Sequence, residues 1–132
     1  MGTFYTSCKI QSHADRTSWV DVPKVLVDSG AELTWINTHR LEKAGIEREK
    51  KSYRFMTATG QEITRTIGYA IIQVGDAETN DEVVFGEPGD LEILGARTLE
   101  GMNLHVDPRA KKLVAGGPIL AAAQKVVKAV RK

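Results

Sequence analysis

Glycine and proline divide this chain into short segments, and this division constrains its fold more than any other feature. The 12 glycines and four prolines are spread over 132 residues. The segments between them are rich in valine, isoleucine, threonine, tyrosine and phenylalanine, which favour strands. A chain of this length forms one domain and cannot hold a two-lobed enzyme. The pattern therefore predicts a single all-β domain.

Local signals place the strands, two short helices and one long hairpin. The segments that favour strands are residues 3–10, 19–27, 34–36, 53–58, 61–74, 81–85, 104–106 and 112–114. The segments that favour short helices are residues 37–44 and 96–102. Asn37 or Thr38 is a suitable cap for the first helix, and Gly45 follows its end. Thr59 and Gly60 separate two strand segments, which predicts a hairpin with a glycine at its tip.

Apolar side chains recur at every second residue in the second arm of this hairpin. Ile63, Ile67, Tyr69 and Ile71 have the same parity, so they should share one face of the strand. Arg65 has this parity too and is the exception to the apolar pattern.

Composition excludes several classes of protein. Hydrophobic residues make up 42% and charged residues 27%, which is typical of a soluble globular protein. We expect no membrane span, since no run approaches the roughly 20 apolar residues that cross a bilayer, and residues 1–10 lack the features of a secretory signal. Cys8 is the one cysteine, which excludes an intrachain disulfide and indicates a reducing compartment. We therefore expect a cytoplasmic protein with Cys8 as a small core residue.

The net charge of +1 conceals a separation of charge along the chain. Residues 1–107 carry 11 basic and 17 acidic side chains, whereas residues 108–132 carry seven basic and no acidic ones. Residues 1–114 are predicted to form the β-domain, and residues 115–132 a basic tail. Apolar residues at helical spacing predict a helix over 119–131. One hypothesis makes this tail the functional part, with the β-domain as a dimerising platform for an acidic partner.

The most informative motif follows an apolar run at residues 25–27, which suits a strand buried on both faces. Asp28 comes directly after this run, where a charge is costly unless it is hydrogen-bonded. Gly30 allows a tight turn that can direct backbone N–H groups at the carboxylate. Aspartate, serine and glycine are also common turn residues, so a simple strand-end turn is the alternative interpretation.

A second motif and the hairpin between the two motifs accompany Asp28-Ser29-Gly30 in the order known from one protein family. Asp28-Ser29-Gly30-Ala31 resembles the Asp-Thr/Ser-Gly-Ala motif of the retropepsin-like aspartic proteases, a single-lobe family with retroviral, bacterial and archaeal members. Ile93-Leu94-Gly95 is similar to the second motif of the family, which precedes a short helix. The glycine-tipped hairpin lies between the two motifs, where the family has its flap. These parts follow the family order over about residues 3–114.

The resemblance implies a fold and an activity. The expected fold is the closed barrel of the acid proteases, with a flap hairpin, one or two short helices and a helical tail. The expected activity is that of an aspartic endopeptidase, in which two carboxylates about 3 Å apart share a proton and activate a water. Because the sequence holds one Asp-Ser-Gly, the second carboxylate would come from an identical chain in a homodimer. A peptide or protein with apolar side chains near the cut is the expected substrate, and no metal, cofactor or nucleic acid is expected.

The resemblance also implies roles for individual residues. Asp28 is the expected catalytic acid or base, supported by Ser29, Gly30 and Ala31. The hydroxyl of Ser29 would bond across the dyad to the partner chain, and Gly30 would approach the substrate backbone. The residues expected to bind substrate are Glu32 after the first motif and Ala58, Thr59, Gly60 and Gln61 at the flap tip. Ile93, Leu94 and Gly95 form the second motif.

A competing hypothesis keeps the fold and removes the chemistry. The flap and groove would then capture a peptide without cleaving it, as a binding or dimerisation module. The intact aspartate, serine and glycine of the first motif favour the enzyme. His13, His39 and His105 lack metal-ligand spacing to one another or to Cys8, so we expect no metal site.

Overall fold

The computed structural model describes residues 4–123. The strands are β1 (Phe4–Gln11), β2 (Val20–Val27), β3 (Thr34–Asn37), β4 (Lys50–Met56), β5 (Glu62–Val74), β6 (Ala77–Gly86), β7 (Ile93–Leu94), β8 (Leu104–Asp107) and β9 (Lys112–Ala115). The helices are α1 (Thr38–Lys43) and α2 (Ala96–Gly101). All eight predicted strands and both predicted short helices of the β-domain are present.

Six strands close into a barrel. They follow the order β1-β2-β7-β3-β6-β5, and β1 pairs with β5 to complete the circuit. Within the described residues, β4 pairs only with β5 and so extends outside the barrel, and β8 and β9 form a separate hairpin. The predicted all-β closed barrel with a flap hairpin is confirmed.

Two apolar clusters hold this architecture together. Every barrel strand contributes to the main core, whose buried members are Cys8, Ile10, Val22, Val25, Val27, Ile36, Leu41, Ile46, Ala70, Ile72, Val83, Phe85, Leu94, Leu99 and Met102. A smaller cluster of Leu33, Ile67 and Val84 packs against Trp35 and Phe55. It joins the base of the flap to the barrel, since Phe55 belongs to β4 and Trp35 to β3. These clusters position the loops described below.

The predicted first helix has the expected signals at both ends. The side chain of Asn37 accepts a hydrogen bond from the backbone N–H of Arg40 at 3.1 Å. Gly45 follows the helix with a φ of +78°, a conformation that glycine adopts without strain. α1 therefore begins and ends close to where the sequence predicts.

Two expectations need correction. Leu26 is only half-buried, because one face of β2 borders an open cavity, so the apolar run is not buried on both faces. The predicted row of β5 lies on one face of the strand, but the main core receives Ala70 and Ile72 from the other face, and Tyr69 of the row is 43% exposed. β6 begins at Ala77, earlier than predicted, because it pairs with β5 along its length as far as the turn at Gly75.

The tail departs from the predicted helix where the structure describes it. Residues 116–123 have no regular secondary structure, and Ile119 and Leu120 are 77% and 95% exposed. A short helix without an apolar partner is marginal in water, which explains the absence of a helix over 119–123. The rest of the predicted helix lies outside the described residues. Neither α1 nor α2 is long and apolar enough to cross a bilayer.

Candidate active site

Asp28 lies at the end of β2, and its backbone and side chain are both held. Its N–H donates to the carbonyl of Leu94 at 3.1 Å, and its carbonyl accepts from the N–H of Ala31 at 3.1 Å. The N–H of Gly30 donates to the Oδ1 atom of Asp28 at 2.9 Å. This hydrogen bond fixes the direction of the carboxylate group. The turn therefore presents a half-buried carboxylate in a defined orientation.

Parallel pairing of β2 and β7 brings the two sequence motifs together. Residues 26 and 27 lie opposite Ile93 and Leu94. Gly95 then passes so close to the first motif that a Cβ atom would lie 2.5 Å from the carbonyl oxygen of Leu33. In α2, the N–H of Ala96 donates to the carbonyl of Ala31 at 2.7 Å, and the N–H of Arg97 donates to the carbonyl of Glu32 at 3.1 Å. The second motif therefore supports the loop of residues 28–33, the candidate catalytic loop.

A buried relay of hydroxyl groups supports the same junction, and sequence reasoning missed it. The N–H of Gly95 donates to the Oγ1 atom of Thr34 at 2.9 Å, and this atom lies 2.6 Å from the Oγ1 atom of Thr98. Thr98 donates its proton to Asp81 at 2.9 Å, so Thr34 must donate to Thr98. Both threonines are fully buried. The only signal in the sequence was a threonine within an apolar segment.

The flap tip is a closed turn. The N–H of Thr57 donates to the carbonyl of Gln61 at 2.8 Å, and the N–H of Gly60 donates to the carbonyl of Thr57 at 2.9 Å. Gly60 has a φ of +88°, which explains the need for glycine there. Ala58, Thr59, Gly60 and Gln61 are all exposed.

A cavity of about 530 Å³ lies between the loop that contains Asp28 and the flap. Residues 30–33 line one side, residues 53–57 line the other, and Trp35, Ile63 and Arg97 complete it. Of the residues predicted to bind substrate, Glu32 lines this cavity and the four at the flap tip do not. Gly30 and Ala31 also line it, whereas Ser29 is exposed and does not. The role of each residue remains a prediction.

Arg97 holds Glu32 at the wall of this cavity. Its guanidinium lies 3.1 Å from Glu32 and 3.1 Å from Glu82. These carboxylates raise the pKa of Arg97, and the hydrogen bond that Arg97 donates to Glu32 has the largest effect. No role was predicted for Arg97. The signal that could have found it is its position at the start of α2, directly after the second motif and Ala96.

A second cavity of about 500 Å³ borders β2. Its lining includes Tyr5, Lys24, Leu26 and the loop of residues 86–92. Tyr5 and Leu91 are more than half exposed. Sequence reasoning did not anticipate this cavity, because its lining comes from four separate segments.

Cys8 takes no part in the site, and the described residues form no metal-ligating cluster. Burial is the main reason that the pKa of the Cys8 thiol rises to about 12, so the reactive thiolate is not available near neutral pH. Cys8 is a core residue, as expected. Within residues 4–123, no three His, Cys, Asp or Glu side chains lie together as a metal site.

Comparison with known proteins identifies relatives. Residues 21–101 match the family model described as "gag-polyprotein putative aspartyl protease". This match spans both motifs and the flap. No curated protein matches the sequence.

Solved structures resemble this one in fold at low identity. The EIAV protease complexed with an inhibitor has 17% identity and a TM-score of 0.52, with 86% of this chain and 93% of that chain covered. The Simian Foamy Virus (mac) protease has 22% identity and a TM-score of 0.49, covering 73% and 91%. A retropepsin-like aspartic protease from Rickettsia conorii has 17% identity and a TM-score of 0.48, covering 81% and 89%.

Proposed function

Since the chain belongs to the gag-polyprotein aspartyl protease family and has the retropepsin-like fold, we propose that it is an aspartic endopeptidase active as a homodimer. Each chain contributes one Asp28 to a shared dyad. The observation that carries the proposal is the arrangement at this residue: the chain holds one Asp-Ser-Gly, and its turn directs a backbone N–H at the carboxylate. One chain therefore supplies half of a catalytic site.

The chemistry follows from two carboxylates at close range. At about 3 Å both cannot ionise, so they share one proton and titrate as a pair. The ionised member takes a proton from a water held between them, while the protonated member donates to the carbonyl oxygen of the peptide bond. The water oxygen attacks the carbonyl carbon and gives a tetrahedral gem-diol intermediate. As the C–N bond breaks, the carboxyl group that took the water proton gives it to the nitrogen, the other carboxylate takes back a proton from a gem-diol hydroxyl, and a carboxylic acid and an amine are released. No metal or cofactor is required for these steps.

The groove suits an extended peptide. The cavity beside the catalytic loop has apolar walls from Leu33, Trp35, Phe55, Met56 and Ile63, which supports a preference for apolar side chains near the cut. The flap hairpin can bind an extended backbone and exclude water. In this proposal the tip residues Ala58, Thr59, Gly60 and Gln61 close over the peptide when it binds.

The proposal also covers the contact of Ser29 in the dimer and the cellular location of the protein. Ser29 is exposed in the single chain, which leaves its hydroxyl free to bond across the dyad. We also propose a cytoplasmic location, because the single cysteine suits a reducing compartment.

Asp28→Asn tests the activity. Asparagine keeps the shape of the side chain and cannot take part in the shared-proton dyad, so cleavage of a peptide library should fall by about 10³-fold, the range of a lost general acid–base. Cleavage is measured by mass spectrometry of the products, with circular dichroism as the test of folding. Asp76→Asn is the matched control, since Asp76 lies in the exposed turn between β5 and β6.

Equal cleavage by wild type and Asp28→Asn would refute the proposal. The alternative is a peptide-binding module of the same fold, because the groove and flap do not depend on the dyad. It would be supported if both proteins bound the same library peptides and neither cleaved them. The hypothesis based on the basic tail concerns residues largely outside those described.

A further inference from the structure

Arg65, the exception in the apolar row of β5, forms the least exposed ion pair among residues 4–123. Its side chain is 14% exposed and that of Asp90 is 17% exposed. The Nε atom of Arg65 donates to Oδ2 of Asp90 at 2.7 Å, and Nη2 donates to Oδ1 at 2.9 Å. The guanidinium fork therefore meets both oxygens of one carboxylate, the strongest geometry for such a pair.

The partner of Arg65 belongs to a loop that closes on itself. The N–H of Glu87 donates to Oδ2 of Asp90 at 2.8 Å, and the N–H of Asp90 donates to the carbonyl of Glu87 at 2.9 Å. Arg65, and then the N–H of Glu87, hold the pKa of Asp90 below its ordinary value. The carboxylate of Glu87 itself lies 3.6 Å from Arg65. Arg65 thus contacts a preformed loop rather than a free side chain.

The position of Arg65 along β5 is that of a hinge. From Ile67 onward β5 pairs with β6 of the barrel, whereas residues 62–65 pair only with β4. Arg65 itself lies opposite Tyr53 in the hairpin. The flap therefore separates from the barrel between Arg65 and Ile67. A contact at Arg65 can thus control how the hairpin is oriented.

The same guanidinium also lies over the aromatic base of the flap. It is 6.0 Å from the ring of Trp35, and this ring lies 5.0 Å from that of Phe55 on β4. Loss of the ion pair should therefore loosen the contact between Trp35 and the flap.

We propose that Arg65 is a positioning residue that ties the hinge of the flap to the loop of residues 86–91. This loop leads directly into the second motif at Ile93, so the tie fixes the flap relative to the catalytic turn. The inference rests on the proposed function only for the statement that the flap covers a peptide. The tie itself is a property of the fold.

Loss of this tie should change KM more than kcat. A flap released at its hinge spends less time in the closed position, and the apparent affinity for substrate falls in proportion to the closed fraction. Once a peptide has closed the flap, Asp28 and its surroundings are unchanged. Asp90→Asn should therefore raise KM by about fivefold and leave kcat within about twofold.

Fluorescence of Trp35 tests the tie without reference to activity. Trp19 and Trp35 are the two tryptophans, so all variants carry Trp19→Phe. Asp90→Asn, which keeps the guanidinium near Trp35, should raise the rate of acrylamide quenching by about twofold as the flap moves away. Arg65→Lys keeps the charge without the fork and should give an intermediate rate and an intermediate KM.

Glu62→Gln is the matched control. It removes an exposed ion pair with Arg54 on the same hairpin and should change neither quenching nor KM. If Asp90→Asn does not fold, as judged by thermal unfolding, Arg65→Lys decides. Folded variants of Asp90 or Arg65 that match Glu62→Gln in quenching and KM would overturn the tie. A wild type that cleaves no peptide would overturn the proposed function instead, and quenching alone would then decide the tie.

Discussion

Gly95 illustrates, at the scale of one residue, how tightly the two motifs meet. A Cβ atom at this position would lie 2.5 Å from the carbonyl oxygen of Leu33 and 3.0 Å from that of Ala31. Both neighbours are backbone atoms of the catalytic loop, which cannot rotate away as a side chain can. The requirement for glycine here comes from space and not from an unusual φ, which is −94°.

Gly95→Ala should therefore destabilise the fold and displace the catalytic loop. We expect the free energy of unfolding to fall by about 1–3 kcal/mol, the usual cost of inserting a methyl group into a packed region. Urea denaturation at fixed protein concentration measures it. Gly117→Ala is the control, since a Cβ atom there meets nothing within 4 Å. An unchanged urea midpoint for Gly95→Ala would show that the loop adapts without cost.

Thr34 and Thr98 show a different kind of residue-scale constraint. Each hydroxyl is buried with a complete set of partners, and no buried side-chain polar atom within residues 4–123 lacks a hydrogen bond. A buried hydroxyl that loses its partner destabilises a fold by about 1–3 kcal/mol. The second motif is therefore held in two ways. The relay holds it by hydrogen bonds, and Gly95 holds it by close packing against the backbone.

At the scale of elements, the flap is a hairpin with two anchors at its base. One anchor is the apolar cluster of Leu33, Ile67 and Val84, against which Trp35 and Phe55 pack. The other is the ion pair of Arg65 and Asp90. The first is insensitive to pH, whereas the second depends on an ionised carboxylate.

The contribution of the second anchor should therefore vary with pH. Because the pKa of Asp90 is lowered from 3.8 in the fold, the pair stabilises the protein above that pH and is lost as the pH falls through the lower, folded value. We expect wild type to exceed Asp90→Asn in free energy of unfolding by about 1 kcal/mol near neutral pH. The difference should disappear well below pH 3.8. Chemical denaturation across this range measures it, and a constant difference would contradict the assignment.

The whole molecule is a closed barrel that carries one Asp-Ser-Gly motif. Among the described strands, β8 and β9 pair only with each other and β4 pairs only with β5, so each has an unpaired edge. An unpaired strand edge is a suitable surface for association with another chain. The barrel is complete as a fold, while the proposed site is complete only in a dimer.

Specific activity should depend on the concentration of chains. Well below the dimer dissociation constant, the rate of peptide cleavage should rise roughly as the square of concentration, because the dimer is the active species. Sedimentation velocity measures the dimer over the same range. Activity that stays proportional to concentration where the protein is monomeric would contradict the shared site.

Mixing experiments sharpen this test. Excess Asp28→Asn should suppress wild-type activity, because mixed dimers hold one ionisable carboxylate in place of two. Excess Asp76→Asn should leave it unreduced, since its own chains supply a complete dyad.

The sequence by itself determined the local structure. Short β-prone segments predicted every barrel strand except β7, Asn37 and Gly45 predicted the ends of α1, and Asp28-Ser29-Gly30 marked the turn after β2. Each of these signals acts over a few residues, through strand propensity, capping or turn geometry. That is why they can be read from consecutive residues.

Only the tertiary structure decided which distant residues meet. Arg65 was visible as an exception in β5, but Asp90, 25 positions away, was not visible as its partner. Thr34 meets Thr98 across 64 positions, and the cavity beside the catalytic loop takes its walls from both the loop and the flap. Nothing in a residue's immediate neighbours specifies such partners, because they are set by closure of the barrel and the parallel pairing of β2 with β7. The sequence therefore marked Asp28 as the candidate catalytic residue, while the fold determined what holds it and the flap in place.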